Sequence, residues 1–189
     1  LHRHLARLRH QIGVVPQDDI VHRSLTVHEV LTFAAALRFP DDVSSAERAT
    51  RVTSTAAELG LSDHLRTRVD QLSGGQRKRT SVAMELLTQP SLLLLDEPTS
   101  GLDPGLDQSV MQLLRDLADA GRTVLVVTHS TENLDVCDNV LVLASGGRVA
   151  YFGPPSHLLG HFGANRMSSV FDRLDGSILQ APRTPSGIG

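Results

Sequence analysis

Two adjacent carboxylates, Asp96 and Glu97, follow a run of leucines in this chain. Four consecutive leucines, bounded by Pro90-Ser91 and by Asp96, are typical of a strand buried on both faces, as in parallel sheets. Adjacent side chains at the end of a strand point in different directions, so one carboxylate can hold a magnesium ion while the other turns toward a water molecule. Phosphoryl transfer needs this division of roles. The alternative is that both side chains cap the following turn.

A capping-box pattern, Ser73-x-x-Gln76, lies earlier in the chain, and we expect a helix to begin there. Gly74 and Gly75 fall in its first turn and leave backbone N–H groups without side-chain cover. Because a helix N-terminus carries about half a positive charge, the arrangement suits an anion such as phosphate. The cations that follow, Arg77–Arg79, lie where the helix dipole disfavours them, which favours a docked polyanion. The alternative is a capped, solvated helix start.

These two groups belong to a longer ordered set of motifs. The set comprises Val15–Asp19, Leu72–Gln76, Leu92–Pro98, Thr99–Pro104 and Thr128–Thr131. It resembles the ATPase subunit of an ATP-binding cassette (ABC) transporter. The residues within and around the motifs resemble those of the G, or white-like, branch of that family and its bacterial relatives. The likeness runs from about residue 11 to residue 162, and the motifs are specific jointly rather than singly.

The resemblance implies that two cassettes sandwich ATP. The signature residues would then act on nucleotide held by a second nucleotide-binding domain, and Asp103 would bridge the two halves. A transmembrane domain is the other partner that the resemblance implies. The implied signature residues are Ser73, Gly74, Gly75 and Gln76.

Four other residues are similar to those that serve the nucleotide of their own cassette. The resemblance implies that Asp96 holds Mg²⁺, largely through water, and that Glu97 orients and deprotonates the attacking water. His129, which follows a predicted strand, resembles the histidine that contacts the terminal phosphate of ATP. Gln17 resembles the glutamine that reaches the magnesium ion and the attacking water; residue chemistry alone makes it only a polar loop residue.

The sequence contains no G-x-x-x-x-G-K-[ST] motif, the loop whose amides cradle the phosphates of a bound nucleotide. Its single lysine, Lys78, lies in the predicted signature helix instead. The chain also begins with Leu1 and not with methionine. We therefore expect that the chain is the later part of a nucleotide-binding domain, without its Walker A part, and that this chain alone has no measurable ATPase activity.

The composition is that of an ordinary globular protein, with 40% hydrophobic and 21% charged residues among 189. A net charge of −3 gives no basic field for nucleic acid, so no nucleic-acid partner is expected. The apolar runs are far shorter than the roughly twenty residues of a membrane helix, so any membrane span belongs to another segment or subunit. With the resemblance, this predicts a peripheral location at the cytoplasmic face of a membrane.

The periodicity predicts an α/β fold. Apolar runs at 11–15, 92–95 and 124–128 predict strands of a parallel sheet, and 140–143 and 148–152 predict a hairpin. Helices are predicted from Thr26 to near Pro40, over 46–59, from Ser73 to about Leu87, over 104–120, and briefly after Pro155. The resemblance adds a P-loop NTPase-like core with a helical subdomain at about 20–89.

We predict a partial nucleotide-binding domain over residues 1–162 and an extension or linker over 163–189. Leucines at helical spacing predict a short amphipathic helix near the start of the chain, and the histidines there fit a solvated helix face better than a metal site. Two other functions stay open. One is a soluble ABC ATPase of translation or DNA repair; the other is a non-catalytic fragment that only binds or dimerises.

Overall fold

The computed structural model describes residues 11–179, and for residues 175–179 it describes the backbone alone. The predicted helix near residue 1, and residues 180–189 of the predicted extension or linker over 163–189, therefore lie outside the described residues. The chain divides into two compact units, the first ending at Ser130 and the second beginning at Thr131. This division leaves the predicted extent of the family domain, residues 1–162, as a prediction.

The first unit is built on three parallel strands in the order β1-β2-β3. They are Ile12–Val15, Leu92–Asp96 and Thr123–Val127. Val15 pairs with Leu95, and Asp96 pairs with Val127. The parallel sheet that the sequence predicts is confirmed, and the carboxyl ends of all three strands reach the same edge.

Helices cover one face of this sheet. A Cβ added to Gly13 would lie 2.9 Å from a side-chain methyl of Leu93 and 3.2 Å from the Cβ of Glu85, which lies on the helix Gly74–Leu86. Leu93 and Leu95 are accordingly buried, with 0% and 1% of their surface exposed. The hydrophobic core of the first unit includes the side chains between this face of the sheet and the helices.

The prediction that the leucine strand is buried on both faces is wrong for this chain. On the opposite face Val14, Leu125 and Val127 are each more than half exposed, and Leu94 between them is only half-buried. A run of leucines records that a strand is apolar on both sides, but burial depends on which elements the fold lays over each side.

Among the described residues of the first unit, 11–130, the chain forms four α-helices: α1 (Val27–Arg38), α2 (Ser45–Glu58), α3 (Gly74–Leu86) and α4 (Pro104–Asp119). The first three begin with the capping boxes of Thr26, Ser44 and Ser73, in which the hydroxyl accepts from the third helical N–H and the Glu or Gln reaches back to the cap. The fourth begins with Asp103 as cap and proline as first residue. All four predicted helices are confirmed.

The segment between α2 and α3 connects the first two helices to the signature residues, which begin at Ser73. It contains two short 3₁₀ turns, Ser62–His64 and Val69–Gln71. Backbone hydrogen bonds tie it to the start of α1: the N–H of Val27 donates to the carbonyl of Thr67, and the N–H of Val69 donates to the carbonyl of Leu25. The approach to Ser73 is therefore fixed by α1 as well as by the local chain.

The second unit contains an antiparallel hairpin and two helices. Strands β4 (Val140–Ala144) and β5 (Arg148–Gly153) pair across the turn Ser145–Gly147, as predicted. Helix α5 spans Pro155–His161, and α6 spans Met167–Leu179. The sequence pattern did not predict α6. Across the described residues, no helix is both long and apolar enough to cross a membrane.

Candidate functional site

The candidate catalytic side chains follow three neighbouring parallel strands. Gln17 lies two residues beyond the end of β1, Asp96 ends β2 and is followed by Glu97, and His129 lies two residues beyond β3. Because the register aligns Val15 with Leu95 and Asp96 with Val127, these groups lie along one edge of the sheet. Open parallel sheets bind ligands at this edge.

Glu97 is joined directly to the segment after β3. Its Oε1 accepts a hydrogen bond of 2.9 Å from the backbone N–H of His129 and one of 2.7 Å from the Nδ1 of the same residue. The hydroxyl of Thr128 donates to Oε2 at 3.3 Å. Backbone pairing continues beneath them, since the N–H of Glu97 donates to the carbonyl of Val127 at 2.8 Å.

The backbone of Glu97 is in the left-handed region, with φ of +45°. A non-glycine residue there costs about 1 to 3 kcal/mol, and such residues are enriched at functional sites. The conformation turns the Glu97 carboxylate toward His129 while Asp96, in the extended strand, stays exposed. The adjacent carboxylates therefore have different surroundings, as the sequence predicts.

The Glu97 side chain is 16% exposed, whereas the His129 side chain is 80% exposed. An ionised carboxylate only accepts hydrogen bonds, so the Nδ1 of His129 carries the proton in this contact. The Nε2 of the exposed ring is then the end that can meet a further group. The arrangement is a half-buried base held by an exposed imidazole.

The helix start at Ser73 forms the capping box that the sequence predicts. The Ser73 hydroxyl accepts from the N–H of Gln76 at 3.2 Å, and the Gln76 Oε1 accepts from the N–H of Ser73 at 2.9 Å. The first N–H groups of a helix have no partner within it, so those of Gly74 and Gly75 point to the space before the helix. That geometry suits phosphate oxygens.

The two signature glycines also lie in close contact with neighbouring leucine side chains, which the sequence pattern did not predict. A Cβ on Gly74 would lie 2.7 Å from Cδ2 of Leu102, and one on Gly75 would lie 3.2 Å from Cδ2 of Leu106. The loop before α4 therefore lies directly against the start of α3. Asp103, within that loop, uses its Oδ1 to cap α4, accepting from Gly105 and Leu106 at 3.1 Å each.

The three cations after the signature have hydrogen-bond partners inside the protein, whereas the sequence favoured a docked polyanion as their partner. Arg77 donates to the carbonyl of Leu72, and Arg79 donates to the carbonyl of Leu59 and to the hydroxyl of Ser109. Lys78 is 5% exposed and bonded within the protein. Charge alone marked these residues as ligand-binding, and only the packed structure assigns them internal partners.

Comparison with known proteins identifies the family. A family model described as "ABC transporter" matches residues 1–100 of the 189. The chain belongs to the ABC transporter family. Within this ABC cassette the matched residues include the segment after β1, the signature helix and the paired carboxylates.

Curated relatives of this ABC cassette are transporter proteins. It is 57% identical over 171 residues to the ABC transporter ATP-binding/permease protein Rv1747 of Mycobacterium tuberculosis, with 90% of this chain and 20% of that protein covered. It is 43% identical over 159 residues to the broad substrate specificity ATP-binding cassette transporter ABCG2 of Bos taurus, with 80% and 24% covered. These relatives confirm the predicted G branch, and the chain spans only a fifth to a quarter of their length.

A solved structure confirms the fold class. The cbiO1 protein of Clostridium perfringens, described as part of the ABC transporter complex cbiONQ, is 27% identical and superposes with a TM-score of 0.74. The match covers 96% of this chain and 72% of that one. The α/β core that the sequence predicts is therefore the ABC ATPase core.

Proposed function

We propose that this cassette hydrolyses ATP at the sheet edge that carries Gln17, Asp96, Glu97 and His129, as the ATPase part of a transporter. The observation that supports this most is the hydrogen-bonded pair of Glu97 and His129, which joins the ends of two adjacent parallel strands. A base and an exposed imidazole side by side at this edge fit the attack of water on a terminal phosphate.

Glu97 is the general base in this proposal. Its carboxylate is half-buried and held on one side by the backbone and ring of His129, so it is oriented before substrate arrives. A positioned general base typically contributes about 10²- to 10⁴-fold to the rate. Glu97 accepts a proton from the attacking water and directs the water's oxygen at the phosphorus.

Asp96 and Gln17 are the proposed magnesium-binding residues. Mg²⁺ prefers oxygen ligands and keeps several of its waters. The carboxylate of Asp96 is exposed at the end of β2, and Gln17 is exposed just beyond the neighbouring strand, so the donor chemistry of this edge fits the ion. When bound, the ion neutralises charge on the phosphate oxygens.

His129 acts at the phosphate in this proposal. Its Nδ1 is committed to Glu97, which leaves the Nε2 of an exposed ring available for a phosphate oxygen. The same hydrogen bond fixes the orientation of the ring. His129 thus both holds the base and presents a group to the phosphoryl that is transferred.

The start of α3 is the second nucleotide-binding surface. The hydroxyl of Ser73 and the amides of Gly74 and Gly75 lie at a helix N-terminus, where an anion is favoured. This surface would meet nucleotide held by a second cassette. Gln76 supports Ser73 through the capping box, and Asp103 would contact the second cassette. The partners are then a second nucleotide-binding domain and a transmembrane domain, which places the cassette at the cytoplasmic face of a membrane.

The test is Glu97→Gln in a protein that joins this chain to a phosphate-binding loop and a membrane domain. The substitution keeps the shape of the side chain and removes its basicity. We expect ATP binding and closure of the cassette dimer to persist while turnover falls by at least about 100-fold. An Asp42→Asn variant, which alters an exposed carboxylate in the loop between α1 and α2, serves as the control. Undiminished turnover in Glu97→Gln would reject the assignment.

A further inference from the structure

Lys78 is the only lysine of the chain, and the fold buries it. Its side chain is 6% exposed. The ammonium donates to the backbone carbonyl of Gln17 at 3.0 Å and lies 3.0 Å from Oδ1 of Asp19. A buried ammonium is costly unless it is paired and hydrogen-bonded. Both partners here belong to the short segment that follows β1.

The same segment has a second attachment to α3. The hydroxyl of Ser81 donates to Oδ1 of Asp19 at 2.9 Å, the oxygen that also faces Lys78. The carbonyl on one side of Asp18 and the carboxylate on the other are therefore both held by one helix. The side chain of Gln17 stays exposed while its backbone is fixed.

This attachment links two regions that act on different nucleotides in the proposed function. Ser73, Gly74 and Gly75 form the start of α3, and Lys78 lies on the same helix little more than one turn further along. A helix moves as a rigid element over so short a distance. A shift of its N-terminus therefore shifts the contacts that hold the Gln17 carbonyl.

We propose that Lys78 is a positioning residue for ATP hydrolysis. Lys78 holds the Gln17 carbonyl and the Asp19 carboxylate, and so fixes the position of Gln17 relative to α3. Through this contact, the nucleotide that the start of α3 meets on a second cassette is coupled to the catalytic sheet edge of this cassette. This inference rests on the proposed role of Gln17. It also replaces the sequence-based expectation that Lys78 contacts a docked polyanion, because its burial and its two internal partners leave the ammonium facing the protein.

The test is a double-mutant cycle between Lys78 and Gln17 in a protein that joins this chain to a phosphate-binding loop and a membrane domain. Lys78→Met keeps the length of the side chain and removes its charge. Because small misplacement of a catalytic group can cost about 100-fold in rate, we expect Lys78→Met to lower kcat by about tenfold or more, with the KM for ATP within about twofold of the parent. In the Gln17→Ala background the same substitution should lower kcat no further.

Two further variants separate positioning from stability. Lys78→Met leaves the Asp19 carboxylate without its cation, so the melting temperature is expected to fall; adding Asp19→Asn removes that charge and should restore the melting temperature. The proposal requires kcat to stay low in the restored protein. Arg79→Met is the matched control on the same helix, since Arg79 contacts Leu59 and Ser109 and not the segment after β1. Its kcat should follow its stability.

The outcomes distinguish this inference from the function beneath it. If Gln17→Ala leaves kcat unchanged, the proposed role of Gln17 is rejected and this inference falls with it. If Gln17→Ala lowers kcat but Lys78→Met lowers it by the same factor in both backgrounds, only the inference about Lys78 is overturned. Recovery of kcat together with melting temperature in the Lys78→Met/Asp19→Asn protein also overturns it. Loss of kcat that persists there and vanishes in the Gln17→Ala background supports it.

Discussion

One carboxylate oxygen of Glu97 accepts two hydrogen bonds from His129, one from its backbone N–H at 2.9 Å and one from its ring Nδ1 at 2.7 Å. The backbone contact ties the end of β2 to the end of β3 whatever the side chain at 129. The ring contact adds orientation of the imidazole. Replacing the ring therefore tests its chemistry without undoing the junction between the strands.

We predict that His129→Ala lowers turnover by about 100-fold in the complete protein, the loss typical of removing one group that stabilises developing charge. The ring is 80% exposed, so the free energy of unfolding should change by less than about 0.5 kcal/mol. Steady-state ATPase assays and chemical denaturation measure the two effects. An exposed histidine of the loop before α1, His22→Ala, is the control and should change neither quantity.

Gly74 and Leu102 provide a packing prediction. A Cβ at Gly74 would lie 2.7 Å from Leu102 Cδ2, so Gly74→Ala forces the leucine to move and should cost about 1 kcal/mol of unfolding free energy. The backbone itself accepts alanine, because Gly74 is the first residue of helix α3 and its φ is not positive. In a Leu102→Ala background the cost should vanish. Equal costs in both backgrounds would contradict the contact.

The capping boxes of α1 and α2 predict an acid-dependent loss of stability. The pKa of Glu29 is lowered first by the hydrogen bond from the Thr26 backbone and then by that from its hydroxyl. The pKa of Glu47 is lowered first by the Ser44 hydroxyl and then by its backbone N–H. Because both pKa values are lowered from the ordinary value of a glutamate, this contribution to stability is present above the unfolded pKa and is lost as the pH falls through the folded pKa values.

Glu29→Gln/Glu47→Gln should therefore weaken the fall of unfolding free energy between about pH 5 and pH 3. Glutamine still completes a capping box, so the helices keep their starts. Urea denaturation at a series of pH values measures the slope. Asp41→Asn/Asp42→Asn, in the exposed loop between the two helices, is the control and should leave the slope as it is. The same slope in the glutamine protein would reject the assignment.

Local rules predicted the elements that position the site. Capping boxes depend on side chains three residues apart, so Ser73-x-x-Gln76 fixed the start of α3 without knowledge of the rest of the fold. The leucine run gave β2, and the parallel order of strands then brought Asp96, Glu97 and His129 to one edge. Short-range patterns were sufficient wherever the determining contact was itself short-range.

Long-range contacts explain what the sequence did not predict. One partner of Lys78, Gln17, is 61 residues away, and the contact between Gly74 and Leu102 joins the start of α3 to the loop before α4, which no periodicity relates. The open face of the sheet, with Val14 and Leu125 exposed, depends on where helices lie and not on the composition of the strand. The charge and hydrophobicity of these residues indicate that they make contacts, but do not identify the residues that they contact.

The isolated 189-residue chain provides a last prediction, because its sequence contains no phosphate-binding loop motif. The groups described at the sheet edge are carboxylates, an amide and an imidazole, which act on a phosphate already held in place. We therefore expect no measurable ATPase activity from this chain alone. A fluorescent ATP analogue should bind weakly in a titration monitored by anisotropy.

Magnesium separates the two ways in which weak binding can arise. If the edge around Asp96 supplies what affinity there is, omitting Mg²⁺ or changing Asp96→Asn should abolish it, whereas Ser73→Ala should not, since the start of α3 acts on nucleotide held by a second cassette. Adding a cassette that carries the phosphate-binding loop should raise the affinity and make it sensitive to Ser73→Ala. Tight, magnesium-dependent binding to the isolated chain would contradict the composite site, because one cassette segment would then be sufficient to hold ATP.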